Sequence, residues 1–322
     1  MSDSFQAAVA RSAEIERRIG TDPGEFRMLT GDRPTGALHI GHYFGSIQNR
    51  IRLQRSGVEI FQLIADYQVI TDRESVGDIG GNVRSLLLDN IAAGLDPDRA
   101  TFFTHSAVPA LNQLLLPFLS LVSVAELQRN PTVKEEAATA GIKSINGLML
   151  TYPVHQAADI LFCKANVVPV GKDQLPHLEL ARVIARRFNR RYSPAAPYFP
   201  EPAALLTDAP ALLGTDAQKM SKSRGNAIPI GATAEETARL VAGAKTDAER
   251  RIAYDPVRRP GVSNLVLLGA LCLGRTPEDV AAEVGDAGGA ALKRLVTEAI
   301  NERFRGIRAR RAELLGDRAY LR

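Results

Sequence analysis

Two stretches of the chain carry residue types suited to handling a polyphosphate. Residues 30–42 read Thr-Gly-Asp-Arg-Pro-Thr-Gly-Ala-Leu-His-Ile-Gly-His, rich in glycine and ending in two imidazoles. Glycines let backbone approach a ligand closely, and a helix beginning there aims free N–H groups at an anion. His39 and His42 stand three residues apart and so share a helix face. With no carboxylate or cysteine next to them they make a poor metal pair. The second stretch is Lys-Met-Ser-Lys-Ser at 219–223, followed by Arg-Gly-Asn. Lys219 and Lys222 bracket Met220 and Ser221, with Ser223 beyond, as on a mobile loop that carries ammonium groups onto a polyphosphate. Taken alone, that segment reads by default as a solvated charged loop. Neither stretch is a GxGxxG turn or a Walker loop.

The elements around them alternate. Short apolar runs at 26–30, 59–65, 101–104 and 165–170 read as strands. Helical patterns follow the glycine-rich turn to about residue 55 and cover 79–93, 111–129, 156–162 and 175–188, the fourth introduced by a Tyr-Pro step. Strands alternating with helices imply βαβ units: an α/β, doubly wound, Rossmann-like parallel sheet with helices on both faces. Both candidate stretches then sit where such sheets bind ligands, or on a loop leaving them. From about Thr233 only helices are expected. Thr233, Thr246 and Thr276 each precede an acid by three residues, the pattern of a helix start, and Pro277 suits a first helical position. Leu292, Leu295, Val296, Ala299, Ile300, Phe304 and Ile307 then hold one helical face.

Composition sets the class. The chain has 322 residues, 45% hydrophobic and 24% charged, with a formal net charge of +4. That suits a large domain plus a smaller one, able to bury roughly three-quarters of the unfolded surface without a staple. Cys163 and Cys272 are far apart among apolar neighbours and read as two buried thiols of a reducing compartment. No Cys/His group has zinc-ligand spacing, so no structural metal is expected. Residues 1–20 carry charges throughout, lack the apolar core of a signal peptide and suit an amphipathic helix on Phe5, Val9, Ile15 and Ile19. The most apolar stretch, 111–127, is too short and too polar to span a bilayer and reads as a buried helix. Arg303, Arg305, Arg308, Arg310 and Arg311, with Arg318 and Arg322 beyond, could meet a polyanion or form a solvated helix face.

His-Ile-Gly-His at 39–42 and Lys-Met-Ser-Lys-Ser at 219–223 resemble the paired signatures of class I aminoacyl-tRNA synthetases, in the right order. The residues between narrow the resemblance to the tryptophanyl branch. Gly-Asp-Arg-Pro-Thr-Gly at 31–36 is similar to that family's Gly-x-Gln-Pro-Ser-Gly turn. Residues 150–161 resemble its Tyr-Pro…Ala-Ala-Asp-Ile-Leu segment, 168–174 its Val-Pro-Val-Gly-x-Asp-Gln, and 260–265 its Pro-Gly-Ile-Ser-Asn-Leu. The likeness runs from about residue 26 to the end.

The resemblance implies a tryptophan–tRNA ligase: L-tryptophan is activated by ATP with Mg2+, then passed to tRNA(Trp). It implies a homodimer in the cytoplasm, with neither membrane nor DNA as a partner. It divides the chain into an N-terminal helical extension (1–25), a catalytic domain (26–230) and a helical tRNA-binding domain (231–322). Carried over position by position, Asp159 accepts the indole N–H, and Tyr152, Gln156, Gln68, Val168 and Val170 complete the amino-acid pocket, with Gln174 at the α-groups. Gly171, Lys172 and Asp173 approach the ATP ribose, and Arg33, Pro34, Thr35, Gly41 and His42 the adenine and phosphates. Leu212 lines the adenine site, while Met220, Ser221 and Ser223 belong to the loop that closes on ATP. His39, His42, Lys219 and Lys222 are the catalytic residues implied.

Four departures from the family stand out. Arg33 replaces a commoner Gln, His39 and His42 replace a frequent Thr and Asn, and Gln68 replaces His. With Asn-Pro-Thr-Val-Lys at 130–134, these resemble the divergent second form that some bacteria carry. Gln68 is expected to alter tolerance to tryptophan analogues. The fourth departure is that Arg322 falls short of the family's usual end, which puts full anticodon recognition in question. Two other classes remain as readings: an adenylate-forming paralogue that delivers its product elsewhere, and a non-catalytic binding protein on the same fold. Charging of tRNA separates the first from a ligase, and consumption of ATP separates both from the second.

Overall fold

The computed structural model describes residues 3–71, 76–139, 141, 144–206, 210, 212–221 and 224–317. In chain order the strands are β1 (Arg27–Asp32), β2 (Glu59–Ile64), β3 (Ala100–Thr104), β4 (Val167–Val170) and β5 (Ala203–Leu206). They form one sheet in the order β3-β2-β1-β4-β5, every pair parallel. The α-helices that precede the second signature are α1 (Asp3–Thr21), α2 (Ile40–His42), α3 (Gln48–Ser56), α4 (Ile79–Ala93), α5 (Pro109–Gln113), α6 (Leu115–Leu119), α7 (Val124–Gln128), α8 (Pro131–Thr139), α9 (Gly147–Phe162) and α10 (Leu175–Tyr192). The remainder is α11 (Ala234–Ala242), α12 (Pro260–Leu273), α13 (Pro277–Val284) and α14 (Gly288–Gly316).

Successive strand residues point to opposite faces, and each face has its own core. Met28, Ile60, Val167, Ala203 and Leu205 pack with Ile15 and Ile19 of α1 and Leu53 of α3. Their neighbours Leu29, Leu63, Val168, Val170 and Ala204 pack with Ala157, Ile160 and Leu161 of α9 and Leu178, Ala181 and Ile184 of α10. Met28, Ile60 and Val167 are fully buried, and each such side chain contributes about 1.5–3 kcal/mol. The sheet is therefore doubly wound, as the alternation implied. Its fifth strand was not anticipated, because Ala-Ala-Leu-Leu is too short to announce itself. Pairing with β4, from Val167↔Ala203 to Val170↔Leu206, creates it. Ser12 of α1 completes it by accepting from the Leu206 N–H at 2.8 Å.

Three local readings are corrected by packing. The helix expected over 156–162 begins at Gly147, where Asn146 caps it by accepting from Met149 N at 2.8 Å. Pro153 thus lies inside the helix and does not introduce it. The single buried helix expected over 111–127 is three short ones, with Pro117 in α6 and a Ser123/Glu126 capping box starting α7. Leu116 is 77% exposed as a result. Thr246 starts no helix: Asp247 is held by Arg259 at 2.6 and 2.7 Å and turns the chain instead. Thr233 and Thr276 do cap α11 and α13, each accepting from the N–H three residues on at 3.1 Å.

The chain separates into two compact units that do not follow chain order. One comprises Met1–Thr35, Arg50–Val83 and Asp96–Asp208, and carries the sheet. The other comprises Gly36–Asn49, Arg84–Leu95 and Ala209–Arg322. The first signature, although it follows β1, thus belongs with the C-terminal helices. There α14 buries Leu292, Val296, Ala299, Ile300 and Phe304, the face read from the sequence. Among the described residues no helix is long and apolar enough to cross a membrane.

Candidate active site

In the sheet-bearing unit the polar residues gather at the carboxyl ends of the strands, where parallel sheets bind ligands. Asp32 ends β1, and Arg50 reaches it through Nη2 at 3.0 Å while donating to Gln62 of β2 at 3.1 Å. This buried group fixes the start of the Arg33-Pro34-Thr35 turn, in which Thr35 N–H bonds the Arg33 carbonyl at 2.8 Å. Asp66 follows β2 and His105 follows β3, both buried.

Asp159 lies on α9, 4% exposed, and receives the Nε2 of His105 at 3.0 Å on its Oδ1. Its Oδ2 makes no hydrogen bond among the described residues. Four residues earlier on α9, His155 accepts from Gln68 Nε2 at 2.7 Å on Nδ1 and donates through Nε2 to Asn112 Oδ1 at 2.8 Å. Thr71 donates to Gln68 Oε1 at 2.9 Å, and Asn112 Nδ2 donates to the His105 carbonyl at 3.2 Å. Burial pushes the His155 imidazole below its ordinary range, against the nearby Asp159 carboxylate that raises it. Gln68 therefore spends its amide on His155 and Thr71.

One turn earlier, a second chain of bonds positions Tyr152. Asn130 Nδ2 donates to His177 Nδ1 at 3.2 Å, His177 Nε2 lies 3.0 Å from the Tyr152 hydroxyl, and that hydroxyl donates to Glu136 Oε2 at 2.6 Å. The sequence of donors requires a neutral His177, and burial pushes its pKa down to about 4. Thr132 ties the same segment to the Asp173 carbonyl at 2.9 Å, and Gln174 Nε2 bonds Asp173 Oδ2 at 3.0 Å. Gly171, Lys172 and Asp173 are exposed, and a Cβ on Gly171 would fall 2.6 Å from Asp173 Oδ1. Val168 and Val170 are buried on one face of β4, and Gln156 is half-buried on α9. Lys172 also sits over the Phe5 ring of α1, 5.0 Å from its centroid.

His105, His155 and Asp159 bring potential metal-ligating atoms within 4.8 Å of one another, a grouping no spacing in the sequence revealed. Both nitrogens of His155 are already in hydrogen bonds, so the geometry is that of a polar network. His105, Asn112, His155, His177 and Glu136 were missed as site residues. Two signals could have found the key pair: His105 directly follows a strand, and His155 lies one turn before Asp159.

In the other unit, the two signatures touch. His39 pairs with Pro229 as an antiparallel bridge, Ile40 N–H bonds Ile228 O at 3.0 Å, and Ile230 N–H bonds Leu38 O at 2.9 Å. The chain following the lysine loop thus fixes the backbone of the histidine signature. A Cβ on Gly41 would stand 3.0 Å from His39 Nδ1 and 3.1 Å from Met220 Sδ, so a larger residue there requires one of these side chains to give way. His39 N–H donates to His42 Nδ1 at 3.2 Å, which leaves Nε2 of a neutral His42 as the protonated, donating nitrogen. The imidazole centroids are 3.7 Å apart.

Asn226, of the Arg-Gly-Asn that follows the lysine signature, organises the loop. It accepts from Ser221 N–H at 2.9 Å and donates to Asp216 Oδ1 at 2.8 Å and Lys219 O at 3.1 Å. Leu212 is buried, and the next residue, Leu213, is gripped through both main-chain groups by Asn264, at 2.7 and 3.0 Å. That explains the Pro-Gly-Val-Ser-Asn segment: Gly261 is needed because a Cβ would lie 2.5 Å from Lys245 O. Lys219 is exposed, while Lys222 and Ser223 lie outside the described residues.

Among the described residues of the basic cluster each arginine has a partner within the chain, and Arg318 and Arg322 lie outside them. Arg303 donates to Tyr43, Arg308 to Asn301 and Thr237, and Arg305 and Arg310 pair with Glu302 and Glu313. Arg311 bonds Asp89 Oδ1 at 2.6 Å, and the other oxygen of that buried carboxylate accepts from Leu38 N–H at 3.2 Å. Helix α14 is thereby tied to the residue before His39. Cys163 is buried and Cys272 half-buried, and burial pushes both thiols up to about 12.

The profile of the family described as tRNA synthetases class I (W and Y) matches residues 21–305. The chain belongs to this family. It is 43% identical over 304 residues to a tryptophan–tRNA ligase of Treponema pallidum (strain Nichols), covering 92% of this chain and 88% of that one. It is 40% identical over 299 residues to a tryptophan–tRNA ligase of Clostridium longisporum, covering 90% and 87%. Among solved structures it is similar to the Campylobacter jejuni tryptophanyl-tRNA synthetase crystallised with ADP and tryptophan. That match has a TM-score of 0.77 and 29% identity over 92% of this chain and 91% of the other. The class I fold and the synthetase membership read from the paired signatures are thus established, and the match begins at the last residue of α1.

Proposed function

We propose that the chain is a tryptophan–tRNA ligase, which activates L-tryptophan with ATP in the cytoplasm and passes the acyl group to tRNA(Trp). The observation that carries this is Asp159: a buried carboxylate with one oxygen occupied by His105 and the other available to accept the indole N–H. A site built around such an acceptor rejects an analogue that lacks the donor, because the carboxylate is then left buried and unpaired. The identity to two tryptophan–tRNA ligases over most of their length supports the same substrate.

In this reading Tyr152, Gln156, Val168 and Val170 line the amino-acid pocket with Gln68, and Gln174 meets the α-groups. Gly171, Lys172 and Asp173 take the ribose, and Arg33, Pro34, Thr35, Gly41 and Leu212 the rest of the nucleotide. The tryptophan carboxylate attacks the α-phosphorus of MgATP, forming tryptophanyl-adenylate and releasing pyrophosphate. Positioning and charge stabilisation supply the rate, with little covalent chemistry from the protein. His39 and His42 donate to the phosphoryl oxygens. Lys219 and Lys222, with the substrate's Mg2+, hold the leaving pyrophosphate, and the loop with Met220, Ser221 and Ser223 closes over it. The family resemblance supports a homodimer.

ATP–pyrophosphate exchange with each of the twenty amino acids, followed by charging of bacterial tRNA, tests the proposal. Exchange and charging with tryptophan is the expected result, and exchange driven by another amino acid would overturn it. Lys222→Ala is expected to slow adenylate formation by about 10²–10³, the scale for losing one donor to developing charge. An unchanged exchange rate in that variant would remove Lys222 from the mechanism.

A further inference from the structure

We infer that His105 is a positioning residue for amino-acid selection: it clamps one oxygen of Asp159 so that the other faces the indole N–H. This rests on the tryptophan reading of the site. A carboxylate only accepts, so the 3.0 Å contact puts the proton on His105 Nε2 and makes Oδ1 the engaged oxygen. An unclamped carboxylate on α9 could rotate about its last bond and present either oxygen, or neither, to the substrate.

The clamp is itself held from several sides, which an incidental contact would not require. His105 is fully buried. Its main-chain N–H donates to Asp66 Oδ1 at 2.9 Å. Its carbonyl accepts from Asn112, whose amide oxygen fixes His155, whose other nitrogen meets Gln68. The His155 ring lies 4.6 Å from the His105 ring and the Tyr67 ring 5.6 Å from it, centroid to centroid. Residues from the end of β2, from α5 and from α9 therefore converge on His105. Because Gln68 and His155 act through that imidazole's surroundings, the pocket's choice of substrate is set by the whole network rather than by Asp159 alone. A cation is not needed to explain the grouping, since both nitrogens of His155 are already in hydrogen bonds.

The test compares His105→Leu, which removes the donor, with His105→Gln, which retains one. ATP–pyrophosphate exchange is measured with tryptophan and with its benzothiophene analogue, in which sulfur replaces the indole N–H. His105→Leu is expected to lower the preference for tryptophan over the analogue by about tenfold, the scale of one hydrogen bond to a charged group. KM for tryptophan should rise while KM for ATP stays constant, and His105→Gln should restore most of the preference. A merely structural role would weaken both substrates together, so an unchanged preference ratio in His105→Leu overturns the inference. So would a loss in His105→Gln equal to that in His105→Leu when both melt as the parent does. If His105→Leu fails to fold, the Gln variant's ratio alone decides: a preference near the parent's supports the clamp, and a tenfold fall with normal folding overturns it. Failure of the parent to use tryptophan at all would instead sink the tryptophan reading, which the parent control reveals separately.

Discussion

The two units solve the same problem, holding chemistry in place, in different ways. In the sheet-bearing unit the site is built from side chains bonded to side chains: Gln68 to His155 to Asn112, His105 to Asp159, His177 to Tyr152 to Glu136. In the other, main chain does most of the work. Bonds between Leu38 and Ile40 and the 228–230 segment, and glycines at which a Cβ would fall about 3 Å or less from a neighbour, hold the two signatures. On the proposed function, the difference follows from what each would recognise: an indole with one N–H is told apart by the placement of a single acceptor, whereas a triphosphate is met by many donors.

The sharpest way to break the contrast is at one of the side-chain pairs on which the second unit does rely. Arg311→Met removes the guanidinium bonded to the Asp89 carboxylate, which is 1% exposed. Loss of one partner of a buried pair costs about 3–5 kcal/mol, and with Arg311 itself 23% exposed the lower end is expected. Chemical unfolding of Arg311→Met and of the double variant with Asp89→Leu reads this. The double variant should recover much of the loss, and no recovery would mean that the pair is not what α14 contributes.

Next in size is Gly214→Ala. Its Cβ would meet the Asn226 amide nitrogen at 2.3 Å, and overpacking of this kind costs about 1–3 kcal/mol. Asn226 must move, taking with it the bonds to Ser221 and Lys219. Exchange activity should therefore fall through a higher KM for ATP, with KM for tryptophan unchanged. A rise in KM for tryptophan instead would erase the proposed division of labour between the units.

The first unit carries a pH signature in a buried histidine. The neutral folded His177 has its pKa lowered from 6.5 to about 4. Below 6.5 the unfolded chain takes up a proton that the folded chain refuses, so this stability is full above that pH and is lost towards pH 4. Between pH 7 and pH 5 the loss amounts to roughly 2 kcal/mol, and His155 adds in the same direction. Urea midpoints at the two pH values should converge in His177→Gln. An undiminished pH dependence there would assign the effect elsewhere.

The smallest effects belong to Arg305 and Arg310, whose i,i+3 partners Glu302 and Glu313 are themselves exposed. Alanine at either should change stability by less than about 0.5 kcal/mol. A larger loss would show that the cluster is structural throughout, as Arg311 is.

Much of this molecule is legible in one dimension, and for identifiable reasons. The strand–helix alternation is written in local hydrophobic periodicity, and the signatures are contiguous because loops that approach phosphates need glycines and cations close together in sequence. The α14 face and the Thr233 and Thr276 caps are legible for the same reason: the partners lie within a few residues. What was not legible depends on groups far apart in the chain. β5 exists because β4 lies beside it. Pro153 sits inside a helix because both flanks of α9 are packed, and Thr246 caps nothing because Asp247 is taken by Arg259. Asp159 could be named from its segment, but its clamp, His105, lies on another strand's end and comes within 3.0 Å only in the folded chain. Sequence determined which chemistry was available. Tertiary structure decided which oxygen of Asp159 His105 occupies and which partner each nitrogen of His155 and His177 meets, because a hydrogen bond depends on the position of its partner and not on distance along the chain.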